Sequence, residues 1–126
     1  MTLHDQDAFR RAHRVSEAAA RRGFDWPNAE GPLAKLEEEL EELRVAHAEG
    51  DPERTSAELG DLLFAAVNLA RHLGQDSGAC LLATVARFEA RWAYVQAELA
   101  DAGRAVEGAS LDELEAAWSR AKRALG

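Results

Sequence analysis

Two short stretches of this chain concentrate carboxylates at spacings that could hold a cation. The first carries Glu38, Glu39 and Glu42, the second Glu58 and Asp61. On a helix, Glu39 and Glu42 are three residues apart, as are Glu58 and Asp61, so each pair stacks on one face about one turn apart. Each stretch thereby offers a chelating pair. If two such helices pack antiparallel through their leucine faces, the four carboxylates can converge beside the core, where like charges cannot stay both ionised and close without compensation. A divalent cation supplies that compensation. Oxygen ligands alone point to Mg²⁺ or Mn²⁺. A di-iron carboxylate bundle would use Glu-x-x-His, and no Glu here is followed by His at that spacing. The competing explanation of any Glu-rich helix is a solvated face, and Glu37 and Glu41 are read that way.

The elements that must position these acids follow from a helical wheel at about 100° per residue. Leu33, Leu36, Leu40 and Leu43 form the expected core face of the first acidic helix, and Glu39 borders it directly. Beyond Glu39 come Ala46, Lys35, Glu42 and Glu38, while Glu37, Glu41 and Arg44 lie on the opposite flank. On the next helix Leu59, Leu62, Leu63, Ala66, Leu69, Ala70 and Leu73 make a broad apolar face. Glu58, Asp61, Ala65, Asn68 and His72 run along one edge of it. Asn68 is either a surface amide or a group that reaches a ligand or metal-bound water, and His72 is read as a partly exposed structural histidine. Gly60 costs the helix roughly 1 kcal/mol relative to alanine, and its place beside the acids suggests close backbone packing.

Ala, Leu, Glu and Arg dominate and β-branched residues are few, so the chain reads as all-α with no strand. A first helix is expected from Asp5 to Arg22, ending at Gly23 before the turn Phe24-Asp25-Trp26-Pro27-Asn28. A second begins at Gly31-Pro32 and reaches Glu49 before Gly50. Asp51-Pro52-Glu53 supplies an N-cap, a first-turn proline and a first-turn acid for the third, which ends at Gly74. A fourth runs from Asp76 to Ala102. Its residues Leu81, Val85, Phe88, Trp92, Val95 and Leu99 form a continuous apolar seam, read as core or subunit interface. Gly103 to Ala109 is a linker, and Ser110 with Glu113 forms a capping-box pattern opening the last helix. The central helix pair resembles half of a four-helix bundle, so the expectation is five helices in an antiparallel bundle that a homodimer completes.

At 126 residues the chain is expected to be one domain, 1–126, with a modest core. No apolar run approaches the roughly 20 residues of a membrane helix, so no membrane partner is expected. The stretch Met1 to Asp5 lacks a basic segment followed by an apolar one, which leaves a cytoplasmic location as the expectation. Cys80 is the single cysteine, which excludes an internal disulfide framework and a thiolate metal cage. The net charge of −8 argues against tracking a nucleic-acid backbone, and it admits a phosphorylated ligand only where cations screen the repulsion.

The run from Lys35 to Leu43 and the run Glu58-Leu59-Gly60-Asp61 through Asn68 to Leu73 closely resemble MazG nucleotide pyrophosphohydrolases, whose signature is EExxE followed by ExxD. The resemblance extends through Gly23 to Pro27, through Arg87-Phe88 and Arg91-Trp92, and through Trp118 to Lys122, so it covers nearly the whole chain. It looks like the C-terminal half of two-domain MazG proteins. The resemblance implies that Glu39, Glu42, Glu58 and Asp61 bind Mg²⁺ and that Glu38 is a further ligand or orients the attacking water. It implies cleavage of nucleoside triphosphates between the α and β phosphates. Lys35, Arg87, Arg91 and Lys122 match basic residues of the family, and Trp118 matches a tryptophan expected to stack on the base, where an aromatic plane gives affinity with little base selectivity. The chain departs from the family at Ala18, often lysine, and at Arg87 and Trp92, more commonly lysine and phenylalanine. Two further readings compete: a related all-α pyrophosphohydrolase acting on dUTP, dCTP or phosphoribosyl-ATP, and a catalytically silent bundle that binds nucleotides or a protein partner. Loss of a carboxylate would mark the silent bundle, and all five acids are present.

Overall fold

The computed structural model describes residues 8–126. They form five α-helices, α1 (Ala8–Arg21), α2 (Glu30–Ala48), α3 (Pro52–His72), α4 (Ser77–Asp101) and α5 (Leu111–Leu125), with a short 3₁₀ turn at Val106–Gly108 and no strand among the described residues. The expected first three residues of the opening helix, and the stretch from Met1 to Asp5, lie outside the described residues.

Local chemistry accounts for the boundaries. Gly50, at φ +67, takes the left-handed conformation that ends α2 without a Cβ penalty. Asp51 then caps α3, accepting the Arg54 amide at 3.1 Å, and Pro52 occupies a first-turn position where no amide hydrogen is needed. Asp76 does the same for α4, accepting from the Ala79 amide at 2.9 Å. At α5 the capping box is complete: Ser110 Oγ accepts the Glu113 amide at 3.1 Å, and Glu113 accepts the Ser110 amide at 3.0 Å.

The chain divides into two compact units, Met1–Cys80 and Leu81–Gly126. In the first, α2 and α3 pack as a hairpin joined by a connection of three residues, and α1 lies against α3. The short connection makes the pair antiparallel. In the second, Val95 and Leu99 of α4 pack with Ala117 and Ala121 of α5, flanked by Trp92, Tyr94, Leu114 and Trp118. Glu98 and Arg120 bridge the same two helices at 2.7 and 2.8 Å.

The leucine faces expected to form the core are only partly covered: Leu36, Leu43, Leu62 and Leu69 are half-buried. Leu33 and Leu40 of α2 and Leu59 and Leu63 of α3 are between 40% and 48% exposed. The buried side chains of this hairpin are Pro32, Glu39 and Ala46 on α2, with Ala65 and Val67 on α3. The wheel therefore placed Glu39 correctly beside the core but overstated how far the leucines are buried. Small residues, Ala46 and Ala65, are among those buried in the hairpin. The apolar seam of α4 divides in the same manner: Val95 and Leu99 are buried, whereas Leu81, Val85 and Phe88 are exposed.

Gly60 is a second correction. A Cβ built there meets no atom within 4 Å, so close packing inside this chain is not its reason. Gly60→Ala is accordingly expected to stabilise the protein by about 1 kcal/mol through helix propensity, read as a higher urea midpoint. A loss of stability would mean that another surface fills the open space.

Candidate metal centre

The antiparallel hairpin brings the two acidic stretches together. One carboxylate oxygen from each of Glu39, Glu58 and Asp61 lies within 4.8 Å of the others, with Glu39 buried, Glu58 half-buried and Asp61 exposed. Glu39 is only 4% exposed. The Glu42 carboxyl lies against that of Glu58. A hydrogen bond shared between the two raises the Glu42 pKa first, followed by desolvation and by repulsion from Glu58 and Glu38. Four of the five expected acids thus sit at one place. Glu38 reaches it through Lys35, whose Nζ donates to Glu39 Oε1 at 3.0 Å and to Glu38 Oε2 at 3.3 Å. The Lys35 pKa is raised by these two partners, Glu39 foremost.

The cluster is incompletely compensated by protein groups. Glu39 Oε2 and Glu58 Oε2 are buried without a hydrogen-bond partner. A buried carboxylate oxygen left unpaired costs free energy that folding alone does not return. Two orphaned oxygens facing a group of hard anionic ligands are what a divalent cation would satisfy, so the residues fit such an ion.

Asn68 is not part of the cluster. It sits two helical turns beyond Asp61 on the same edge of α3, where its Oδ1 accepts from Arg71 Nε at 3.2 Å and Nη2 at 2.7 Å. Arg71 also grips Asp25, with Nη2 to Oδ1 at 2.6 Å and Nη1 to Oδ2 at 3.1 Å. His72 Nε2 lies 2.7 Å from the same Oδ1, and the Trp26 amide donates to it at 2.9 Å. The Arg71 guanidinium above all holds the Asp25 carboxyl far below the usual range. This network straps the loop after α1 to the end of α3.

A family model described as phosphoribosyl-ATP pyrophosphohydrolase matches residues 10–87, which include every acid of the cluster. The chain belongs to that family. The chain is 37% identical over 111 residues to the nucleoside triphosphate pyrophosphohydrolase/pyrophosphatase MazG of Thermotoga maritima, covering 88% of this chain and 42% of that protein. It is 36% identical over 118 residues to the nucleoside triphosphate pyrophosphohydrolase of Escherichia coli strain K12, covering 92% of this chain and 45% of that protein. The chain therefore spans less than half the length of these relatives. The resemblance to MazG seen in the sequence holds at this level.

Arg91, Trp118 and Lys122 fall beyond the stretch matched by the family model, in the second compact unit with Arg87. Arg87 Nη2 donates to Thr84 Oγ1 at 2.9 Å. Arg91 donates to the Gly126 carbonyl at 3.2 Å, and its guanidinium carbon is 5.9 Å from the Trp118 ring centroid. The Phe88 ring lies 5.1 Å from the Trp118 ring, tilted by 45°. Lys122 is exposed one turn along α5 from Trp118. The sequence reading missed Asp25 and Arg71. Helical periodicity carries no information about a pair 46 residues apart; the only local signal was an acid between two aromatic residues in a turn.

Proposed function

We propose that this protein hydrolyses nucleoside triphosphates between the α and β phosphates, giving nucleoside monophosphate and pyrophosphate, with Mg²⁺ (or Mn²⁺) held by Glu39, Glu42, Glu58 and Asp61. The observation that carries the reading is the pair of buried, unpartnered oxygens on Glu39 and Glu58 inside a converging set of carboxylates. A divalent cation bound there would polarise phosphoryl oxygens, screen negative charge and make a water more acidic and nucleophilic. The protein's own groups do the rest. Glu38, at the exposed rim of the cluster, accepts a proton from the attacking water as the α–β bridging P–O bond breaks. Lys35, held by Glu38 and Glu39, is positioned to contact phosphate once those acids engage a cation. Arg87, Arg91 and Lys122 are further candidate phosphate contacts, and the 126 residues act as one functional domain. A cytoplasmic location, where triphosphates are made and used, belongs to the same proposal.

The substrate is proposed to be a nucleoside triphosphate because both relatives carry that name. Phosphoribosyl-ATP is the alternative raised by the family description. Initial rates on the common ribo- and deoxyribonucleoside triphosphates and on phosphoribosyl-ATP separate the two. Turnover of phosphoribosyl-ATP alone would overturn the broader assignment.

Assembly as a homodimer is part of the proposal. The largest fully buried side chains among the described residues are Val95 and Pro32, while Leu33, Leu40, Leu59, Leu63, Leu81 and Phe88 remain exposed. A scattered exposed leucine is ordinary, but this many on helix faces supports the proposal that a partner covers some of them. Light scattering at micromolar concentration is expected to give twice the 13.7 kDa chain mass. A monomer retaining full activity would contradict it.

A further inference from the structure

A cation of the protein's own already sits on the acidic cluster. Lys35 Nζ lies 3.0 Å from Glu39 Oε1 and 3.3 Å from Glu38 Oε2, so one ammonium bridges two neighbouring acids of α2. The partners differ in freedom. The Glu39 side chain is 5% exposed, whereas those of Lys35 and Glu38 are 44% and 55% exposed. Glu39 is therefore the fixed member, and Lys35, on a flexible four-carbon stem, is the one able to move. Its compensation of the cluster is also partial. The ammonium satisfies one oxygen of Glu39, while Glu39 Oε2 and Glu58 Oε2 stay buried and unpartnered.

We propose that Lys35 is an exchangeable counter-ion: it holds Glu38 and Glu39 in the metal-free protein, yields them to a divalent ion, and then pairs with the phosphates of a triphosphate. The inference rests on the proposed metal centre and deepens it by giving the order in which metal and nucleotide enter. A divalent ion on Glu39 Oε2 and an ammonium on Oε1 of the same carboxylate would stand about 5 Å apart. Like charges that close repel strongly in a poorly hydrated site. Lys35 has an exit to solvent that buried Glu39 lacks, so the ammonium is the group that leaves. Once released it stays tethered one helical turn from Glu39, at the rim where phosphates held by the cluster's cation must lie. Before release it is neutralised by acids that also repel phosphate. Metal therefore precedes nucleotide. A purely structural ion pair would persist with metal bound, and a purely phosphate-contacting lysine would leave metal affinity untouched.

Lys35 and Lys122 are the two lysines of the chain, so the ammonium can be followed directly with Lys122 as internal standard. Reductive methylation of the full chain, freed of metal and read by mass spectrometry, is expected to modify Lys35 several-fold faster with saturating Mg²⁺ than without it, at an unchanged Lys122 rate. In Lys35→Met, free Mn²⁺ counted by electron paramagnetic resonance is expected to show metal affinity raised by up to about fivefold, the weight of one partly exposed ion pair. The same variant is expected to bind a non-hydrolysable triphosphate analogue about tenfold more weakly in Mg²⁺, through loss of a charge-assisted hydrogen bond. Opposite signs in one variant are what exchange requires. Equal Lys35 methylation with and without Mg²⁺ in a wild type that binds Mn²⁺ would overturn the inference and leave the metal centre standing. So would metal affinity in Lys35→Met that is unchanged or lower, or triphosphate affinity that is unchanged. Failure of the wild type to bind Mn²⁺ would overturn both. The expected methylation and affinities without pyrophosphate release from any triphosphate would instead overturn the hydrolysis and leave the exchange standing.

Discussion

Glu39→Gln and Asp61→Asn each abolish metal-dependent pyrophosphate release while leaving the helical fold intact. The expected loss exceeds the roughly 10–100-fold that changes behind a metal's direct ligands cause, because a ligand itself is removed. Glu39 is the more informative of the two. It is buried, its Oε1 is held by Lys35 and its Oε2 is unpartnered, so the glutamine removes a desolvated charge without altering shape. Metal-free stability of Glu39→Gln is therefore expected to equal or exceed that of the wild type. Asp61 is exposed, and its replacement should leave stability nearly unchanged. Circular dichroism and a pyrophosphate assay on the same samples read both quantities. Full turnover in either variant would remove that residue from the site.

Removal of divalent ions is expected to abolish nucleotide binding as well as turnover. The chain carries a net charge of −8 and concentrates acids where the phosphates must come, so a free triphosphate meets repulsion that only cations relieve. In calorimetry a non-hydrolysable triphosphate analogue should bind with Mg²⁺ and show no measurable heat in EDTA. Tight binding in EDTA would sink the electrostatic argument. The same crowding has a signature in pH. The folded-state pKa of Glu42 is raised above its ordinary value of 4.5, chiefly by Glu58. Between those two values the folded state binds more protons than the unfolded one, so metal-free stability falls as pH rises through that window. Saturating Mg²⁺ should flatten this dependence in urea titrations followed across pH.

The sequence made the acidic centre legible because its information is local. Residues three apart on a helix share a face, and the short turn from Gly50 to Pro52 lets the two helices run antiparallel, so Glu39, Glu42, Glu58 and Asp61 could converge. Helix boundaries were equally local, set by Asp51, Ser110 and the glycines. What escaped was everything that depends on which surface meets which. A helical wheel finds the apolar face of α2 but cannot tell a partner within the chain from one outside it, so Leu33 and Leu40 were placed in a core that Ala46 and Ala65 occupy instead. Gly60 was read as a packing residue for the same reason. The Asp25–Arg71 clamp joins a loop to a helix end across 46 residues, a relation that no spacing rule encodes.

The central claim is that converging carboxylates on α2 and α3 serve cleavage at the α–β bond. Phosphorus NMR of the purified protein with one readily accepted triphosphate, followed with Mg²⁺ and again with EDTA, tests it most directly. The expected result is resonances of the nucleoside monophosphate and of pyrophosphate, growing together only when Mg²⁺ is present. Orthophosphate and nucleoside diphosphate appearing in their place, or the same products accumulating in EDTA, would contradict it.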